Sequence, residues 1–150
     1  MLKIRLADID DIEQIVALRM AFVREFQKAP ESPDFVDLTR RYIADKLPKG
    51  EFMVWLAEEE GRVIGTGGLI FFIRPPLYTR PYERHPYILN MYTIPEWRGK
   101  GVATMLMKHI IDYVKTTPAK RISLHASEMG RSVYERLGFK PLDTEMVMDL

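Results

Sequence analysis

The chain has 150 residues, of which 47% are apolar and 29% charged, with a formal net charge of +1. That length suffices for one domain with a buried core, and the near-neutral charge points away from nucleic acid or another polyanion as partner. With no cysteine, disulfides, thiol nucleophiles and thiolate metal sites are excluded together.

The opening residues, MLKIRLADIDD, turn polar before a signal-peptide core could form, and no apolar run matches the thickness of a bilayer; the expectation is a cytoplasmic protein without membrane contact. His85, His109 and His125 show no ligand spacing, so no metal is expected. Nothing in the pattern divides the chain, and residues 1–150 read as a single domain.

Residues 2–6 alternate apolar and charged side chains and predict a first strand. Asp8 is placed to cap the next helix, with Asp10, Asp11 and Glu13 in its first turn. Ile12, Ile15, Leu18, Phe22 and Phe26 carry that helix forward at three- and four-residue spacing. Ser32 followed by Pro33 reads as an N-cap with proline at the first helical position, and Phe35, Leu38, Tyr42 and Leu47 give a second amphipathic face ended by Pro48 and Gly50.

Residues 51–58 and 62–73 are strand-like and predict a hairpin around Glu60 and Gly61. Gly65, Gly67 and Gly68 weaken its second strand unless a bulge or a close backbone contact explains them. Four prolines in residues 74–86 predict a long surface loop. Residues 88–114 then read strand, glycine turn, helix: Val102, Met105, Leu106, Ile110, Tyr113 and Val114 form one apolar face. A fifth strand at 121–125, a short helix from Ser127 to a stop at Gly138, and two closing strands at 139–142 and 145–150 complete the order βααβββαβαββ. This predicts an α/β sandwich with a mixed, twisted, mostly antiparallel sheet.

The turn at Arg98, Gly99, Lys100, Gly101, Val102 and Ala103 opens a helix whose first amides have no internal partners, which suits a phosphate as well as a plain connection. It lacks the Gly-Lys-Ser/Thr of a P-loop and the Gly-x-Gly-x-x-Gly of dinucleotide folds. A second block, SEMGRSVYERLGFK, makes the pattern specific. An Arg-x-x-Gly-x-Ala turn after a strand, followed by Tyr-Glu-Arg-Leu-Gly-Phe, resembles the GCN5-related N-acetyltransferase superfamily.

The resemblance implies an acetyl-CoA-dependent N-acetyltransferase acting on a primary amine of a small molecule or peptide, by direct transfer. It assigns the pyrophosphate to Arg98, Gly99, Lys100, Gly101, Val102 and Ala103. The pantetheine arm falls to the strand edge at Met91, Tyr92 and Thr93, in a cleft between splayed fourth and fifth strands. An amide near Met91 would polarise the thioester carbonyl. Tyr134 aligns with the general acid for the thiolate, since a phenol of pKa about 10 is protonated at neutral pH. Ser127 stands where many members carry asparagine. Glu83 is the candidate base, with Glu96 and His85 near it in sequence. The loop of residues 74–87, rich in arginine and tyrosine, could line an acceptor pocket. A non-catalytic acyl-CoA-binding or sensing module, an unrelated nucleotide-binding domain, and a homodimer all stay open at this stage.

Overall fold

In the computed structural model, which describes residues 1–30 and 32–150, the strands form one mixed sheet in the order β1-β2-β3-β4-β5. β1 (Lys3–Leu6), β2 (Phe52–Glu59), β3 (Arg62–Ile73) and β4 (Arg84–Thr93) run antiparallel in succession, and β5 (Ser123–Leu124) lies parallel to β4. The α-helices are α1 (Ile12–Phe22), α2 (Pro33–Lys46), α3 (Val102–Lys115) and α4 (Arg131–Arg136).

Side chains alternate along a strand, so a central strand feeds two cores. Phe52, Val54 and Leu56 of β2 pack with Ile15 and Leu18 of α1 and Ile43 of α2. Trp55 and Ala57 turn to the other face and pack with Leu106, Met107 and Ile110 of α3. Helices thus cover both faces of the sheet, as the sequence pattern predicts.

The caps ahead of the first two helices form as read. Asp8 accepts from the Asp10 amide at 2.8 Å while Asp11 accepts from the Asp8 amide at 2.8 Å, closing a capping box ahead of α1. Ser32 accepts from the Phe35 amide at 3.4 Å, and Pro33 opens α2. The helix expected to continue to Phe26 does so with a change of winding, because Val23–Gln27 is π-helical before Lys28 ends it at φ 51°.

Gly67 shows why β3 carries glycines. A Cβ there would stand 2.7 Å from the Met91 sulfur and 3.0 Å from Ile110 Cδ1. Glycine therefore lets both β4 and α3 close onto the strand, at some cost in strand propensity.

Four expectations are corrected. The last helix begins at Arg131, with Gly130 as its N-cap and no side-chain cap, rather than at Ser127. β4 begins at Arg84, so the loop is shorter than residues 74–86. Pro86 lies within the strand, where β5 pairs only with Tyr87 and Ile88 and leaves β4 open on one side. β5 is confined to Ser123–Leu124 rather than 121–125. The two closing strands at 139–142 and 145–150 do not form, and residues 139–150 carry no regular structure. A strand needs a partner for its amides and carbonyls, and β5 offers too short an edge. Among the described residues no helix is long and apolar enough to cross a membrane.

Candidate functional site

β4 and β5 share only the pairs Tyr87↔Ser123 and Ile88↔Leu124. From Leu89 to Thr93 that side of β4 has no strand partner among the described residues, and a cavity of about 270 Å³ lies there, bordered by Met91, Tyr92 and Thr93. On its other side, toward β3, the register passes from Gly68↔Leu89 to Thr66↔Tyr92, so Asn90 and Met91 face Gly67 alone. This is a bulge, with Asn90 at φ 56°, and bulges take a residue out of the ladder and redirect its neighbours. Asparagine tolerates that left-handed conformation better than most residues. Its side-chain oxygen is buried without a hydrogen-bond partner among the described residues.

The cavity is closed at one end by the turn into α3. Gly99 (φ 74°) and Gly101 (φ 82°) adopt left-handed conformations, and beyond the adjoining residues no atom of the described residues lies within 4 Å of where their Cβ atoms would be. The backbone is therefore open to a ligand. Gly101 provides no side-chain cap to α3, so the first amides of the helix, at its positive end, lack that acceptor. An anion supplies both the missing acceptor and the missing charge.

Arg98 begins this turn, but its guanidinium is directed into the protein. Its Nε donates to the Thr93 carbonyl at 2.9 Å, and its two Nη atoms meet the Glu25 carboxylate at 2.6 and 2.8 Å. Tyr92 donates its hydroxyl to the same carboxylate at 3.0 Å, and the Arg98 cation lies over the Tyr92 and Phe26 rings at 5.4 and 5.8 Å. Hydrogen bonding from Arg98 holds the Glu25 carboxyl below its ordinary range despite some desolvation, and the same pairing raises Arg98. Burial first, and Glu25 second, push the Tyr92 phenol up. The π-helical turn after α1 is thereby strapped to the glycine turn before α3. Sequence reasoning missed Glu25, since a glutamate on a helix surface carries no local signal. Lys100 places its ammonium 4.6 Å from the Trp97 ring.

Tyr134 comes from α4 and is 8% exposed. Gly130 makes room for it: a Cβ there would sit 2.9 Å from the ring and 3.1 Å from the hydroxyl. The ring packs edge-on to Phe139 at 6.2 Å. Its hydroxyl has no hydrogen-bond partner among the described residues, and burial pushes the phenol above its ordinary pKa. Ser127 borders the same cavity; its Oγ accepts from the Gly130 amide at 3.1 Å, leaving its own proton free to donate.

Met91, Tyr92, Thr93, Arg98, Gly99, Gly101, Val102, Ala103, Ser127 and Tyr134 thus surround one space. Glu83 does not join them. It is exposed in the loop before β4, eight residues from Met91, or about 26 Å of extended strand. Among the described residues no aspartate, glutamate or histidine borders the cavity. Among the described residues no group of three or more His, Cys, Asp or Glu side chains is placed to hold a metal.

Residues 15–139 match the acetyltransferase (GNAT) family. A predicted acetyltransferase from Clostridium acetobutylicum, crystallised with acetyl-CoA, superposes with a TM-score of 0.91 at 33% identity, covering 99% of this chain and 96% of that one. A GCN5-related N-acetyltransferase from Ralstonia eutropha superposes at 0.86 with 29% identity, covering 100% and 99%. By sequence, a glucosamine 6-phosphate N-acetyltransferase of Trypanosoma brucei brucei is 25% identical over 122 residues, spanning 80% of this chain and 81% of that protein.

Proposed function

That the chain belongs to the acetyltransferase (GNAT) family is the premise from which we propose its reaction: direct passage of an acetyl group from acetyl-CoA to a primary amine of a small molecule or peptide. The chain is an acetyl-CoA-dependent N-acetyltransferase. Direct transfer to an amine is supported chiefly by a buried phenol, Tyr134, that has no hydrogen-bond partner among the described residues and borders the same cavity as a helix start without a side-chain cap and a free strand edge.

The residues present fit the donor. The open turn at Gly99, Lys100 and Gly101, with the amides of Val102 and Ala103, suits a pyrophosphate, and the edge at Met91, Tyr92 and Thr93 suits an amide-bearing arm that pairs as a strand does. Ser127 offers a hydroxyl on the opposite wall. Bound there, acetyl-CoA supplies a thioester carbonyl to the attacking amine.

The chain's own part is electrostatic and acidic. The bulge at Asn90 and Met91 frees backbone from the ladder, and the Met91 amide is positioned to receive negative charge developing on the carbonyl oxygen. Tyr134, kept protonated by burial, gives its proton to the departing thiolate. For an amine of pKa about 10.4 the neutral form lies roughly 4–5 kcal/mol uphill at pH 7. Among the described residues no carboxylate or histidine lies on the cavity wall, so this reading gives that proton to solvent rather than to Glu83. Arg98 acts through Glu25 and Tyr92, holding the turn in place.

The test is release of free CoA on addition of a panel of amines, with initial rates measured against both substrates. Intersecting double-reciprocal lines are expected. Parallel lines together with an acetylated enzyme trapped without amine would overturn direct transfer.

A further inference from the structure

At the opposite end of β4 from the donor cavity, three arginines gather around one buried histidine. The Arg74 amide donates to the Glu83 carbonyl at 3.1 Å and closes the base of the loop between β3 and β4, while Leu77 and Arg80 exchange backbone hydrogen bonds at 3.2 and 2.9 Å across its tip. His85, the second residue of β4 and 8% exposed, meets Arg74 Nη2 at 3.1 Å through Nδ1 and the Ser123 Oγ at 2.7 Å through Nε2. Arg121 stands two residues before Ser123, in the run that enters β5.

These contacts assign the protons. A guanidinium only donates, so Nδ1 of His85 accepts, and the ring proton sits on Nε2 and is donated to Ser123. The Ser123 hydroxyl keeps its own proton for another acceptor. Burial first, and then the Arg74, Arg80 and Arg121 cations, hold the His85 pKa below its ordinary value, so the ring is neutral. Arg80 is half-buried, with its Nε shut off from solvent and without a hydrogen-bond partner among the described residues. Desolvation, followed by Arg121 and Arg74, lowers its pKa as well. Removing a cation from water is costly unless an anion meets it. Among the described residues no carboxylate pairs with Arg74, Arg80 or Arg121, and Glu145 is already taken by His125 at 2.6 Å. The three arginines and Ser123 are left with donors alone.

We propose that Arg74, Arg80, Arg121 and the Ser123 hydroxyl bind an anionic group, phosphate or carboxylate, that the acceptor carries in addition to its amine. This rests on the transfer reaction proposed above and names the acceptor's second functional group. His85, Tyr87 and Leu89 alternate onto one face of β4. The Tyr87 ring, edge-on to Phe72 at 5.1 Å and to His125 at 5.6 Å, forms an aromatic floor from the arginines toward the bulge at Asn90 and Met91. His85 and Met91 are six residues apart, roughly 20 Å of strand. Allowing for the reach of an arginine side chain, amine and anion stand on the order of 10–20 Å apart, too far for a free amino acid to span.

Anion binding is read without turnover. With saturating CoA filling the glycine turn, inorganic phosphate or acetate should raise the melting temperature of the full chain saturably in the millimolar range, against chloride at equal ionic strength. The anion that binds more tightly names the group. Arg80→Gln with Arg121→Gln should weaken that binding at least tenfold and leave the stabilisation by CoA intact. Without ligand the double variant should melt no lower than wild type, because it removes charges that repel one another. With an amine that the enzyme turns over, at saturating acetyl-CoA, the same anion should raise the amine's KM and leave kcat unchanged. The proposal is overturned by a wild type with no saturable response to either anion, by a response that survives the double substitution, or by an anion that lowers kcat without raising the amine's KM. An amine panel without turnover would count against the transfer reaction, whereas loss of the anion response alone counts against this site.

Discussion

The sheet is closed on one side and open on the other. β2 and β3 pair from Phe52↔Ile70 to Glu59↔Arg62, whereas β4 and β5 meet only at Tyr87↔Ser123 and Ile88↔Leu124. The long ladder is filled on both faces and carries the stability. The short one leaves β4 beyond Ile88 without a strand partner among the described residues, and the proposed chemistry lies there and at the start of α3. A ligand that binds through backbone amides needs amides the fold has not already used.

The comparison breaks most sharply at Tyr134. Tyr134→Phe keeps the ring against Gly130 and Phe139 but removes the proton, and kcat should fall ~10²–10⁴-fold with acetyl-CoA affinity little changed. Undiminished turnover, with chemistry shown to limit the rate, would remove the general-acid role. On the closed side, Leu106→Ala empties a fully buried position of α3. It should cost about 2–5 kcal/mol in denaturant unfolding, and a loss below 1 kcal/mol would show that this core is not the source of stability.

Gly101→Val sharpens the contrast, since the space around it is open but its φ of 82° is not available to a branched residue. It should cost roughly 1–2 kcal/mol of stability and lower acetyl-CoA affinity by a larger factor than any acceptor constant. Retained affinity by calorimetry in a folded variant would dissociate the turn from the donor.

The smallest effect is expected at the strap between the two regions. Glu25→Gln leaves a partly exposed pair half made and should cost about 0.5–1 kcal/mol. Because Arg98 lowers the folded-state pKa of Glu25, its contribution is fully present above the ordinary glutamate value of 4.5 and is lost as pH falls through the lower folded value. Wild type and variant should therefore converge in stability in acid; a gap that widens there would contradict the assignment.

Much of this was legible in the chain. Asp8 and Ser32 are caps that act within three residues, and Gly138, at φ 97°, ends α4 where the sequence places a stop. The glycines of the turn before α3 announce their conformation because few other residues adopt it. Glu25 and the fate of the Arg98 side chain were not legible. Their pairing spans 73 residues and depends on a π-helical turn that shows no distinct periodicity. Glu83 seemed near the site only because it precedes β4, and a strand carries a residue away from its neighbours faster than any other element.

The sequence by itself determined the elements and the glycine turn, since periodicity, caps and left-handed glycines are properties of a few adjacent residues. Only the tertiary structure decided that residues 139–150 form no strand, that β4 and β5 part after Ile88, and that Tyr134 is buried without a hydrogen bond to any described residue. Each of these depends on which distant groups have already been satisfied, and hydrogen-bond satisfaction is a property of the folded whole.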